Sequence, residues 1–166
     1  MYSNVYDSKV ITPRGTWKTK SQGELFVLMA FEPDIFGSFF SYNPKELEGL
    51  EVDIRGFRIY TVRHLPKGQI GGTEFHRIRQ EIIIGLEGLL WIQLEDIFGN
   101  SRIISVKPSM AVWLSPFILH TYKSSEDNSG LLVIANTLFD PANPATHDTY
   151  NRGEFEKIKP ELIHTA

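Results

Sequence analysis

Two histidines and two carboxylates hold most of the chemistry available to this chain. Glu74 and His76 stand two apart in Gly68-Gln69-Ile70-Gly71-Gly72-Thr73-Glu74-Phe75-His76-Arg77-Ile78-Arg79-Gln80-Glu81, so on one strand they point the same way. Glu81 follows after a break in the pattern, at the head of the apolar run Glu81 to Leu86, and His120 comes about forty residues later in another strand-like run. An imidazole titrates near neutrality and serves as general base or acid with little tuning. A carboxylate beside it could orient the ring, act as partner acid, or bind a hydroxyl, and desolvation in a pocket would raise its pKa. The same four groups, Glu74, His76, Glu81 and His120, would also suit one divalent metal ion such as Fe(II), Mn(II), Ni(II) or Zn(II). Tyr60 offers a phenol, and Arg58, Arg77 and Arg79 offer guanidinium groups that match phosphate oxygens. Alternation allows at most one of Arg77 and Arg79 to face inward with His76.

Each residue also has a purely structural account. His76 would be a core or surface histidine satisfied by one hydrogen bond, and His120 a solvent-facing strand residue beside Thr121 and Tyr122. Glu81 would be a solvated charge at a strand start, and Tyr60 a half-buried core tyrosine. His64, His147 and His164 have no supporting partners in sequence and are read as structural or surface residues.

The elements that must position these groups are short strands. β-Branched and aromatic runs cover Glu24 to Phe31, Gly37 to Tyr42, Val52 to Arg63, Thr73 to Ile78, Glu81 to Leu86, Leu89 to Glu95, Ser101 to Val106, Ala111 to Leu114, His120 to Lys123 and Leu131 to Asn136. Turn signals such as Pro66-Lys67-Gly68, Phe98-Gly99-Asn100 and Asp127-Asn128-Ser129-Gly130 separate them. Asn43 to Gly49 reads as a loop or a short helical turn after Pro44. Asp140 to Pro144 reads as an ordered loop, and Glu154 to Ile163 as a short helix broken or bent at Pro160. Closely spaced strands without a long helix indicate an all-β sandwich or barrel. The expected organisation is an N-terminal arm over residues 1–50, packing on the barrel or at a dimer interface, a barrel over 51–140, and a C-terminal loop and helix over 141–166.

Composition narrows the partners. The 166 residues suffice for one domain with its own core. A net charge of -3 gives no footprint for nucleic acid. The absence of cysteine excludes disulfides and thiolate chemistry. No apolar run approaches the ~18 residues of a membrane span, and the N-terminus lacks a signal-peptide pattern. The expectation is a cytoplasmic protein without a membrane or nucleic-acid partner.

The spacing of Gly68, Glu74, His76, Glu81 and Gly88 resembles the first motif of the cupin superfamily, Gly-x5-His-x-His-x4-Glu-x6-Gly, with Glu74 in place of the first His. In the second motif His120 is retained, while Ser115 and Phe117 stand where Pro and Gly are expected. Within the cupins the chain resembles the WxcM-like and dTDP-sugar 3,4-ketoisomerase (FdtA/QdtA-type) family. Arg58-Ile59-Tyr60-Thr61-Val62 falls on that family's Arg-Val-Tyr-Tyr-like strand, and Gly72-Thr73-Glu74-Phe75-His76-Arg77 on its Gly-Phe-His-Ala-His-Lys. Ser115 to His120 is similar to its Gly-Pro-x-x-Trp-His, Tyr150 to Phe155 to its closing Arg-Asn-Tyr-Asp-Glu-Phe, and Pro13 to Thr16 to an Asp-x-Arg-Gly turn. The likeness covers about residues 52 to 158, and residues 22 to 50 look like an insertion.

The resemblance implies a cupin double-stranded β-helix (jelly-roll barrel) with an N-terminal strand extension and a short C-terminal helix. It implies an isomerase that needs no metal and acts on a nucleotide sugar, a dTDP-linked 4-keto-6-deoxyhexose, in deoxysugar and surface polysaccharide biosynthesis. His76, Glu74 and His120 would be catalytic. Tyr60, Arg58, Arg77, Arg79 and Glu81 would bind substrate, the arginines meeting the nucleotide diphosphate. A homodimer is implied, with the apolar Phe26 to Phe40 region available for the contact. Two alternatives remain: a metal-dependent cupin (a dioxygenase or sugar-phosphate isomerase) and a non-catalytic sugar-nucleotide-binding cupin.

Overall fold

The structure, a computed structural model, describes residues 2–164. It is mostly β, with two five-stranded antiparallel sheets packed face to face as a jelly roll. The first sheet runs in the order β1 (Lys9–Ile11), β9 (Ala111–Leu114), β6 (Glu81–Glu87), β11 (Ser129–Thr137) and β4 (Arg55–Leu65). The second runs β12 (Tyr150–Asn151), β5 (Ile70–Phe75), β10 (Leu119–Ser124), β7 (Leu90–Glu95) and β8 (Ser101–Val106). A separate hairpin joins β2 (Arg14–Lys18) to β3 (Glu24–Val27). The two sheets thus draw in β1 and β12, which lie outside residues 51–140. No described helix is long and apolar enough to cross a membrane.

Period-2 patterning explains the second sheet. In β7, Leu90, Ile92 and Leu94 are wholly buried, whereas Trp91 is exposed. They meet Ile83, Val112, Leu114, Leu131 and Val133 from the first sheet in one core. The run Ile82-Ile83-Ile84 shows no alternation because both faces of β6 are covered. Ile83 points into the core, while Ile82 and Ile84 pack outward with Trp113 and Phe39.

Phe39 belongs to a helix, which corrects the strand expected over Gly37 to Tyr42. Helix α1 spans Pro33–Phe39, with proline in its first turn. Phe36, Phe39 and Phe40 follow the helical spacing and stack edge to edge. Aromatic density, which favours strands as a composition signal, here serves a helix that covers the outer face of β6. The strand expected over Glu24 to Phe31 shortens to β3, and Met29 and Phe31 pack into the same outer cluster. The short turn after Pro44 is helix α2 (Pro44–Leu47), capped by the Asn43 side chain.

The C-terminal helix α3 spans Arg152–Ile163, and Asn151 and Glu154 close it with a capping box. It continues through Pro160 instead of breaking there, although Pro160 has no N–H to donate to the preceding turn. Buried Phe155 docks on Phe75 at a ring separation of 5.2 Å, so the tail is fixed to the strand that carries Glu74.

Two motif glycines mark turns. Gly68 and Gly88 have φ of 84° and 63°, values that L side chains rarely adopt. Phe117, standing where the second motif expects glycine, keeps a φ of 62° without being one. That conformation costs roughly 1–2 kcal/mol for a side-chain-bearing residue. It is held by Phe117 N–H donating to the His76 carbonyl at 2.7 Å and by the ring packing edge-on to Tyr2 at 4.9 Å.

Candidate active site

Each strand delivers its polar residue by parity. On β4, Arg58, Tyr60 and Val62 share the inward side, and Tyr60 and Val62 touch the core. On β6, Glu81 shares a face with Ile83. Glu74 on β5 stands directly across from His120 on β10. His76 lies one residue past the end of β5, so its direction is set by the turn through residues 76–80 and not by strand alternation.

That turn is gripped from far along the chain. The Asp148 carboxylate accepts the backbone N–H groups of Arg77 at 3.0 Å, Ile78 at 2.9 Å and Arg79 at 2.7 Å. Its main-chain carbonyl accepts from His76 Nδ1 at 2.5 Å. The alternation rule therefore does not govern Arg77 and Arg79. Arg79 turns inward and is buried, while Arg77 turns away and donates from Nε to Glu46 at 2.8 Å. Arg77, expected among the substrate-binding residues, does not line the cavity over the site.

Glu81 is the hub. Wholly enclosed, it accepts from Tyr60 Oη at 3.1 Å and Arg79 Nη1 at 3.2 Å on one oxygen. His76 Nε2 lies 3.6 Å from that oxygen, and His120 Nε2 lies 3.6 Å from the other. Burial pushes the carboxyl pKa up, but His76, His120 and Arg79 outweigh it and hold Glu81 well below the usual carboxylate range. Burial lowers His120, opposed by the Glu81 charge and helped by His76. Burial and then Glu81 push the Tyr60 phenol far up, so it stays a donor.

The ring orientations assign roles to the nitrogens. His76 Nδ1 faces a carbonyl, which can only accept, so Nδ1 carries the proton. Nε2 then presents a lone pair, 3.4 Å from Arg79 Nη1. His120 repeats the arrangement, with Nδ1 toward the Ile118 carbonyl at 3.2 Å. The two rings stand 5.2 Å apart.

Over this network opens a cavity of about 660 Å³ lined by Arg58, Tyr60, Glu74, Arg79, Phe139, His147 and Thr149. Arg58 lies over the rings of Tyr60 at 5.2 Å and Phe139 at 5.0 Å. Its Nε and Nη1 are buried and have no hydrogen-bond partner among the described residues. Burial lowers its pKa, as does the nearby Arg79 charge.

The sequence reading passed over Phe139, Asp148 and Thr149 and set His147 aside. Asp148 and Thr149 grip the turn and Arg79, whose Nη2 donates to Thr149 Oγ1 at 3.3 Å. His147, read as structural or surface, lines the cavity stacked on Phe139 at 4.5 Å. The one signal available was a polar cluster, Thr146 to Thr149, between a proline-bounded loop and the cap of α3.

The cupin fold raises the question of a metal. One donor atom each from Glu74, His76 and His120 lie within 4.8 Å of one another. The set does not fit a dication, because Glu81 is already bonded to Arg79 and the same guanidinium rests against His76 Nε2. A permanent cation occupies the ground a second cation would need.

Comparison with known proteins bears on the family and the fold. The WxcM-like, C-terminal (FdtA) family profile matches residues 42–155. No curated protein sequence matches the chain. Among solved structures, QdtA, a sugar 3,4-ketoisomerase from Thermoanaerobacterium thermosaccharolyticum in complex with TDP, superposes with a TM-score of 0.65 at 19% identity, covering 96% of this chain and 98% of that one. The WlaRB TDP-quinovose 3,4-ketoisomerase from Campylobacter jejuni gives 0.61 at 21% identity, covering 92% and 99%. The dTDP-4-dehydrorhamnose 3,5-epimerase from Bacillus anthracis, with TDP and PPi bound, gives 0.61 at 15% identity, covering 91% and 81%. With fold, motif spacing and matched residues in accord, the chain belongs to the WxcM-like, C-terminal family of cupins.

Proposed function

We propose that the protein is a 3,4-ketoisomerase of a dTDP-linked 4-keto-6-deoxyhexose, working by metal-free enolisation. One observation carries this reading: a buried His76–Glu81–His120 network lies beneath a cavity lined by Arg58, whose Nε and Nη1 have no partner among the described residues. The diphosphate meets the Arg58 guanidinium at the cavity wall, since Arg79 is already paired with Glu81. This placement leaves the sugar near Glu74 and the histidines.

His76 Nε2 takes the proton from C3, and the electron pair of that C–H bond forms the C3–C4 double bond while O4 gains a proton. The enediol then loses its O3 proton, C3 becomes the carbonyl, and C4 is protonated. Atoms and charges balance without an outside oxidant. Glu74, opposite His120, is the partner acid in place of a second histidine. Glu81 lies 3.6 Å from both Nε2 atoms and stabilises the imidazolium that forms when a ring takes a proton. Related solved structures hold TDP, or TDP-4-keto-6-deoxyglucose in a mutant of QdtA, which supports this ligand class.

A homodimer belongs to the same proposal. Every residue of β2 is exposed, and the hairpin shows Trp17, Leu25 and Phe26 to solvent. Two strands alone are marginal in water, so a second copy is the expected cover.

The test is incubation of metal-stripped protein with dTDP-4-keto-6-deoxyglucose in heavy water, followed by proton NMR. Deuterium beside the carbonyl, or a 3-keto product, is expected from the native chain. His76→Asn should lose roughly 10²–10⁴-fold of that rate while still binding dTDP. Full activity in that variant removes His76 from the mechanism.

A further inference from the structure

Asp148 belongs to none of the strands that carry the catalytic groups, yet it contacts the turn between them from two sides at once. Its carboxylate, 3% exposed, accepts three successive N–H groups at 2.7–3.0 Å. A turn that aims three consecutive N–H groups at one point makes an anion nest, filled here by a side chain about seventy residues downstream. The carbonyl of the same residue fixes His76 Nδ1. Its neighbours His147 and Thr149 line the cavity, and Thr149 Oγ1 takes a bond from Arg79 Nη2.

We propose that Asp148 is the positioning residue of this site: it holds the 77–79 turn so that Arg79 lies against Glu81 and His76 keeps its proton on Nδ1, leaving Nε2 to act as base. The carboxylate acts through geometry and does not touch substrate. Without it, three buried N–H groups lose their acceptor and the turn relaxes. Arg79 then leaves the Glu81 oxygen, and the His76 ring loses the carbonyl that selects its tautomer. A misplacement of about 1 Å in such a constellation costs on the order of 10²-fold in rate.

The activity arm of the test rests on the isomerase reading, whereas the spectroscopic arm does not. Long-range proton–nitrogen spectra of histidine-labelled native protein should show His76 as the single Nδ1–H tautomer at neutral pH, and an Nε2–H tautomer overturns the proposal. In Asp148→Asn the tautomer should become mixed, with kcat for deuterium incorporation into dTDP-4-keto-6-deoxyglucose falling about 100-fold and KM moving less than about threefold. Asp148→Glu, which keeps the charge on a longer arm, should recover part of kcat, and it carries the same comparison if Asp148→Asn does not fold. An unchanged tautomer together with an unchanged kcat in a folded variant overturns the assignment. Should the native protein incorporate no deuterium, the isomerase reading falls, and the tautomer comparison still decides the role of Asp148.

Discussion

The barrel mouth and the N-terminal hairpin solve opposite problems. At the mouth, four ionisable groups and a phenol are buried together, yet nearly every polar atom has a partner. At the hairpin, large apolar side chains stand in water and their cover is absent from the chain itself. Burying charge is tolerated where each group neutralises its neighbour, and exposing apolar surface is tolerated where another surface will meet it. Arg58 stands between the two, half-buried by the fold and yet with Nε and Nη1 lacking a partner among the described residues. The first region is satisfied among the described residues, whereas the hairpin and Arg58 leave groups open.

The contrast breaks most visibly at Glu81. Glu81→Gln keeps the shape but leaves the Arg79 cation buried without a counter-charge, and should lower unfolding stability by about 3–5 kcal/mol, read by chemical denaturation. The same network sets a pH dependence. Because Glu81 is held below its ordinary value of 4.5, the unfolded chain binds more protons than the folded one in acid. Its contribution is present above 4.5 and is lost as pH falls through the folded value. His120 works in the same direction: its folded pKa lies below 6.5, so the unfolded chain again binds more protons as pH falls. Stability of the native protein should therefore decline on acidification; a flat profile from neutrality to pH 4.5 would contradict the lowered His120, and a flat one below pH 4.5 the lowered Glu81.

Arg58→Met sharpens the comparison from the ligand side. Calorimetric affinity for dTDP should fall by roughly 10- to 150-fold, the loss of about 1.5–3 kcal/mol from hydrogen bonds to a charged group. Unfolding stability without ligand should hold or rise slightly, since an unpaired buried cation has been removed. The smallest effect on folding belongs to the hairpin. Trp17→Ser with Phe26→Ser should change barrel stability by no more than about 0.5 kcal/mol per site, while sedimentation shifts from dimer to monomer. Unchanged sedimentation would move the dimer contact elsewhere.

The strands of the two sheets apart from β1 and β12 were legible because they are runs of β-branched and aromatic residues between turn signals. Ser101–Val106 and Ala111–Leu114 agree to the residue. The mouth was legible because Glu74, His76, Glu81 and His120 interrupt those runs at motif spacing. Helix α1 was not, since Phe36, Phe39 and Phe40 carry strand-like composition on a helical period too short to stand out. Strand β1 escaped because three residues at a sheet edge leave little pattern. Asp148 and His147 escaped for a different reason. Their partners are backbone N–H groups and a ring far along the chain, and side-chain type reports neither. Arg77 and Arg79 show the limit of alternation, which ends where Phe75 leaves the sheet.

The grip of Asp148 on the turn after β5 also sets an order of events in folding. The 76–79 turn and Asp148 are 69–72 residues apart in the chain, a separation like that between the paired core strands β4 and β11, but residue 148 follows the last of those strands. Closing so long a loop costs entropy that only the later contacts return. During synthesis the core strands can assemble before residue 148 has left the ribosome, but His76 has no fixed tautomer until then. A nascent chain would thus acquire its barrel strands before its reactivity.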